Sequence, residues 1–146
     1  IRLKEYGLII MKRKINKIII HCAATYPTMD INAATINEWH LKRGWSGIGY
    51  HFFIKRDGQI ELGRPLERSG AHTKGNNRNS IGICYAGGVD LKNNPEDNRT
   101  DKQKESFIIL LKLLKRMFPN AVIHGHRDFS SKACPSFDAT KEYQSL

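Results

Sequence analysis

Lys17-Ile18-Ile19-Ile20 is a β-branched run with the length and apolar character of a short buried strand. It leads directly into His21, so a metal-ligating and titratable side chain sits at the end of that strand. A second segment is equally well defined. Thr100 with Gln103 forms a capping box, and Phe107, Leu110, Leu111, Leu114 and Phe118 then recur at i, i+3/i+4 spacing until Pro119 ends the helix. Asn32 caps a predicted helix over 33–43, with Ala33, Ile36, Trp39 and His40 on one face and Gly44 as its stop. Further strands are predicted over 50–54, 59–62, 80–85 and 121–124, the first two joined by a turn at Arg56-Asp57-Gly58. Strands and helices alternate, which predicts an α/β domain with a mixed sheet of about five strands flanked by helices.

A chain of 146 residues is long enough for one such domain and too short for two. Its 40% apolar content excludes wholesale disorder. No apolar run approaches the roughly 18 to 20 residues of a membrane span. Three widely spaced cysteines do not make a disulfide framework; they fit a reducing compartment, or a thiol used as ligand or nucleophile. The net charge of +10 favours an anionic partner. Much of the excess lies early, where Arg2, Lys4, Lys12, Arg13, Lys14 and Lys17 face Glu5 alone. Residues 1–14 are therefore expected to be a peripheral basic segment, and 15–146 the folded domain. No zinc-finger spacing or RNA-binding signature accompanies the charge, so no nucleic acid is expected as partner. Residues 1–10 lack the apolar core and cleavage site of a secretory signal, which predicts synthesis in the cytoplasm.

The chemistry concentrates in histidines and one cysteine. His21 ends a strand; His124-Gly125-His126 and Lys132-Ala133-Cys134 lie near the other end of the chain. Imidazole nitrogen and thiolate sulfur are donors that zinc prefers, and a His, His, Cys set leaves a fourth tetrahedral position open, as in catalytic sites. Cys22 follows His21 on a strand and points to the opposite face, so the two do not form a Cys–His nucleophile pair. On spacing alone, both His124 and His126 remain candidates, and scattered structural histidines with a buried thiol are an equal reading.

Three stretches add a resemblance. His21-Cys22-Ala23-Ala24-Thr25, Gly44-Trp45 through Gly49-Tyr50-His51-Phe52, and Lys132-Ala133-Cys134-Pro135-Ser136-Phe137-Asp138 together resemble the zinc N-acetylmuramoyl-L-alanine amidases. That family includes amidase-type phage lysozymes and the peptidoglycan recognition proteins. Asn79-Ser80-Ile81-Gly82 and Gly87-Gly88 match it in order and spacing too. The resemblance implies one zinc ion in a surface groove, held by His21, His126 and Cys134, because the family's second histidine lies eight residues before its cysteine. It implies catalytic roles for Tyr50 and Lys132 and substrate contact by His72 and Asn79. The implied activity is hydrolysis of the muramoyl–L-alanine amide of bacterial peptidoglycan in phage or prophage lysis, by a monomer acting on the wall after release. The alternative is a peptidoglycan-binding module without hydrolysis; such relatives typically lack the cysteine, which this chain has. Cys22, Cys84, His40 and His51 are expected to be structural, and Asp128 and Asp138 are candidate supports for ligating histidines.

Overall fold

The Ile18–Ile20 run lies in β1 (Lys17–Cys22), at the heart of a five-stranded sheet. The computed structural model describes residues 12–146. After β1 come α1 (Ala33–Lys42), the hairpin β2 (Phe52–Ile54) and β3 (Ile60–Leu62), then β4 (Ser80–Tyr85) and α2 (Asp101–Met117). The chain closes with β5 (Val122–Gly125), a 3-10 turn at His126–Asp128, and the short α3 (Ala139–Glu142). The sheet order is β3-β2-β4-β1-β5. β1 pairs in parallel with β4 and with β5, β2 pairs in parallel with β4, and only the β2–β3 hairpin is antiparallel.

Both faces of the central strands are covered. Ile18, Ile20, Ile81, Ile83, Tyr85 and Ile54 pack against Phe107, Leu110, Leu111 and Leu114 of α2. On the other face Phe53, Cys84 and Ala86 meet Ile36 of α1 together with Ile31 and Ile48. Each fully buried leucine or phenylalanine contributes roughly 1.5–3 kcal/mol, so truncating Leu111 to alanine costs about 2–5 kcal/mol. The capping box at Thr100 forms as read: Thr100 Oγ1 accepts the Gln103 N–H, and Gln103 Oε1 accepts the Thr100 N–H. Gln103 also donates to the Ala86 carbonyl at 2.8 Å, tying α2 to the end of β4.

Element boundaries differ from expectation by one or two residues, for local reasons. Tyr50 and His51 precede β2 rather than belong to it, although the His51 N–H still donates to Gly82 O at 2.9 Å. The β2–β3 turn carries Gly58 at φ +86°, a left-handed conformation that glycine adopts without strain. Of the expected peripheral segment 1–14, residues 1–11 lie outside the described residues. Arg13 corrects the remainder, because it is half-buried and not peripheral. Its guanidinium donates to the carbonyls of Leu66, Asn77, Arg78 and Ser80, so the domain's hydrogen bonding begins before residue 15. Among the described residues no helix is long and apolar enough to cross a membrane.

Candidate metal centre

His21 and His126 meet because β1 and β5 are adjacent and parallel. Ile20 pairs with Gly125, so His21, still paired within β1, and His126, the first residue past β5, stand side by side at the same end of the sheet. The two imidazole rings lie 4.5 Å apart. In sheets of this kind ligands gather at the carboxyl ends of the strands, which is where both histidines emerge. Cys134 arrives from the loop between the 3-10 turn and α3. That loop is held by Tyr85 donating its hydroxyl to Pro135 O at 2.6 Å, Ser136 donating to Gly88 O at 2.7 Å, and the Arg127 N–H donating to Cys134 O at 2.7 Å.

One donor atom from each of His21, His126 and Cys134 lies within 4.8 Å of the other two. His21 turns Nδ1 toward the sulfur, at 3.9 Å, and its Nε2 toward His72 and Thr73. His126 Nδ1 is a buried side-chain nitrogen without a hydrogen-bond partner among the described residues. An unpartnered buried nitrogen costs stability unless something binds it. Two nitrogens and a sulfur gathered in this way are a donor set that zinc favours, and three protein ligands would leave a fourth position open. His124 points elsewhere; its Nδ1 lies 3.5 Å from Asp128 and its ring packs edge-on against Phe129.

The protonation states are compatible with metal binding. Burial lowers His21 well below the usual imidazole value, with His72, His126 and Lys132 adding to the effect. Burial and Lys132 lower His126 as well. Both rings are thus neutral near pH 7 and keep a lone pair for a metal. A hydrogen bond with the Cys22 thiol, together with burial, pushes the Cys134 thiol up, so a nearby cation is required to ionise it. Burial, with the Cys84, Cys134 and Cys22 thiols close by, also raises Tyr50, which therefore keeps its phenolic proton.

Tyr50 and Lys132 both line the small cavity of about 230 Å³ that holds the donor set, and the Tyr50 ring lies 5.0 Å from His21. A wider groove of about 500 Å³ adjoins it, walled by Trp45, His72, Thr73, Asn77, His126 and Lys132. His72 is part of that wall. Asn79 is not. It precedes Ser80, whose partner Lys17 begins β1, so it sits at the opposite end of the sheet from His21, and its amide donates to Lys14 O at 2.8 Å.

His40 and His51 are structural, as read. His40 accepts the Gly49 N–H at 2.9 Å and His51 accepts the Gly82 N–H at 3.0 Å. Asp128 and Asp138 do not support the His21 and His126 rings. Asp128 accepts the Gly125 N–H and the Thr140 hydroxyl, and Asp138 caps α3 by accepting the Lys141 N–H. The groups that do support His21 are Thr73 and His72, which the linear sequence left unconnected to it.

The family model for N-acetylmuramoyl-L-alanine amidase matches residues 11–137. The endolysin of Klebsiella phage KP32 is 43% identical over 133 residues, which is 91% of this chain and 88% of that protein. The endolysin of Escherichia phage T7 is 42% identical over 127 residues, covering 87% of this chain and 84% of its own length. Among solved structures, the N-acetylmuramoyl-L-alanine amidase LysC from Clostridium intestinale URNW superposes with a TM-score of 0.77 at 33% identity, over 89% of this chain and 82% of that one.

Proposed function

The chain belongs to the N-acetylmuramoyl-L-alanine amidase family, and on that premise we infer that it is a zinc-dependent endolysin whose centre is His21, His126 and Cys134. It hydrolyses peptidoglycan at the amide between the muramic-acid lactyl group and L-alanine. The observation that carries the metal assignment is the buried, unpartnered Nδ1 of His126 beside His21 and Cys134. The chemistry a zinc ion supplies when held there is Lewis acidity, which polarises the scissile carbonyl and brings the pKa of an attacking water toward about 7.

The remaining work falls to the side chains. Lys132 is exposed at the junction of cavity and groove, and its ammonium faces the negative charge that develops on the carbonyl oxygen. Tyr50, held protonated, orients the water by hydrogen bonding and relays a proton, its oxygen taking the one the water gives up as its own passes to the departing amine. Water adds to the carbonyl carbon and the C–N bond breaks. The lactyl side keeps a carboxylate and the peptide leaves with a free L-alanine amine. Trp45 and His72 wall the groove in which glycan and stem peptide lie. Every residue of this site comes from one chain, so a monomer is sufficient. The enzyme is made in the cytoplasm and reaches the wall on release.

The test is digestion of purified peptidoglycan with mass spectrometry of the products, with and without a metal chelator. Peptides with a free L-alanine amine and glycan strands with intact lactyl groups are expected, and the chelator abolishes both. Cleavage of glycosidic bonds, cleavage within the peptide, or full activity in excess chelator would refute the reading.

A further inference from the structure

Behind His21 runs a chain of hydrogen bonds that ends inside the sheet. His21 Nε2 lies 2.9 Å from His72 Nδ1 and 3.2 Å from Thr73 Oγ1. The Thr73 hydroxyl also lies 2.9 Å from His72 Nδ1, so it bridges the two rings. The other nitrogen of His72, Nε2, is 3.3 Å from Ser80 Oγ. The His72 main chain is pinned as well, its N–H donating to Asn77 Oδ1 at 2.9 Å. The ring lies against β4 because residue 82 is glycine. A Cβ there would come within 2.6–2.8 Å of three His72 ring atoms.

These contacts leave two arrangements of protons. In one, His21 carries its proton on Nε2 and donates it to His72 Nδ1, His72 donates Nε2–H to Ser80, and the His21 Nδ1 lone pair faces Cys134. In the other, each proton sits on the opposite nitrogen, and an N–H points from His21 at the sulfur, where a metal would have to be. The first arrangement alone leaves the donor set open. Both His72 nitrogens are then engaged within the protein, so the ring has no N–H or lone pair left for substrate.

We propose that His72 is a positioning residue for the metal: with Ser80 behind it, it holds His21 in the tautomer and ring orientation that presents Nδ1 to zinc. This rests on the metal reading above and replaces substrate contact as the role of His72. Partners of this kind are typically worth 10–100-fold in metal affinity.

Two substitutions test it on the full chain by zinc titration against a chromophoric chelator, which needs no substrate. His72→Phe keeps the ring and removes both nitrogens. His72→Asn keeps an acceptor oxygen near the place of Nδ1. Zinc binding is expected to weaken roughly 10–100-fold in His72→Phe and to stay within about threefold of the parent in His72→Asn. In nitrogen-15 NMR of the zinc-loaded parent, the His21 Nε2 proton should be visible and slow to exchange; in His72→Phe it should exchange fast. Zinc affinity in His72→Phe within threefold of the parent overturns the proposal, as does equal weakening in both variants. A raised KM with unchanged zinc affinity returns His72 to substrate contact. A parent protein that takes up no zinc sinks the metal reading itself, an outcome distinct from all of these.

Discussion

The Cys22 backbone N–H donates to the Cys134 sulfur at 3.2 Å, joining positions 112 residues apart. The same sulfur lies 3.9 Å from His21 Nδ1, so strand β1 contributes both the neighbouring donor atom and a main-chain N–H that favours the thiolate. Cys134→Ser removes the thiolate and substitutes a weak ligand. Zinc affinity is expected to fall by more than about 100-fold, beyond the range for losing an outer supporting group. Because Cys134 is only partly buried, the fold should persist. Metal analysis and circular dichroism check this; a Cys134→Ser protein that retains stoichiometric zinc removes Cys134 from the centre.

Tyr50→Phe and Lys132→Ala separate metal binding from turnover. Neither side chain is in the donor set, so zinc content should be unchanged. Each should lower kcat by roughly 10²-fold or more, the usual scale for one proton-transfer or oxyanion partner. The measurement is amine release from a soluble muropeptide at saturating zinc. Full activity in either variant strips that residue of its role.

β1 and α2 were legible because their patterns are strong: three successive β-branched residues in one, a five-residue apolar stripe behind a capping box in the other. The identity of the second histidine was not. His124 and His126 are chemically equal in the sequence, and resemblance favoured His126; its place beside His21 follows from β5 lying next to β1, which no local periodicity encodes. Asn79 and Asp128 misled for related reasons. A polar residue beside a strand looks available in the sequence, but Asn79 sits at the wrong end of β4, and Asp128 is taken up by its own neighbours. The support from His72 depends on Gly82 of β4, three strands after His21 in sequence, and only the packed sheet brings the three together.

His51 makes the fold sensitive to acid. Its Nδ1 accepts the Gly82 N–H, so Nε2 carries the proton and donates to Arg68 O at 2.8 Å. Arg13 and Arg64 lie nearby, and His72 packs 6.0 Å away edge-on. Burial, with those cations, lowers His51 to about 4. The unfolded chain has the ordinary value, near 6.5. Between those values the unfolded state binds the extra proton, so stability is full above about 6.5 and is lost as pH falls toward 4. One such proton is worth about 1.4 kcal/mol per pH unit. Denaturant unfolding at several pH values should show the slope, and His51→Gln should flatten it by about one proton. His40, lowered to about 4 by burial, contributes a second. An unchanged slope in His51→Gln assigns the acid sensitivity elsewhere.

Arg99 fastens α3 to the loop that carries Cys134 and Phe137. It is 6% exposed, and its guanidinium binds both oxygens of Asp97, both of Glu142 and the Tyr143 hydroxyl. It also lies 3.4 Å over the ring of Phe137, three residues past Cys134. This network depends on a planar fork with donors in fixed directions. A lysine keeps the charge and reaches one carboxylate, not two, and stacks less well on the ring. Breaking a fully buried ion pair costs about 3–5 kcal/mol. Here the Asp97 and Glu142 side chains are 33% and 43% exposed, so water takes over part of their solvation. Arg99→Lys is therefore expected to cost about 1–3 kcal/mol, below that range. Urea unfolding of the zinc-free protein measures it directly. Because α3 and Phe137 hang on the same guanidinium, hydrogen exchange should speed up from residue 137 to 143 before it does in β1 or β4. A loss under about 0.5 kcal/mol, with exchange unchanged in that segment, would mean that α3 is held by the apolar contacts of Phe137 and Tyr143 alone.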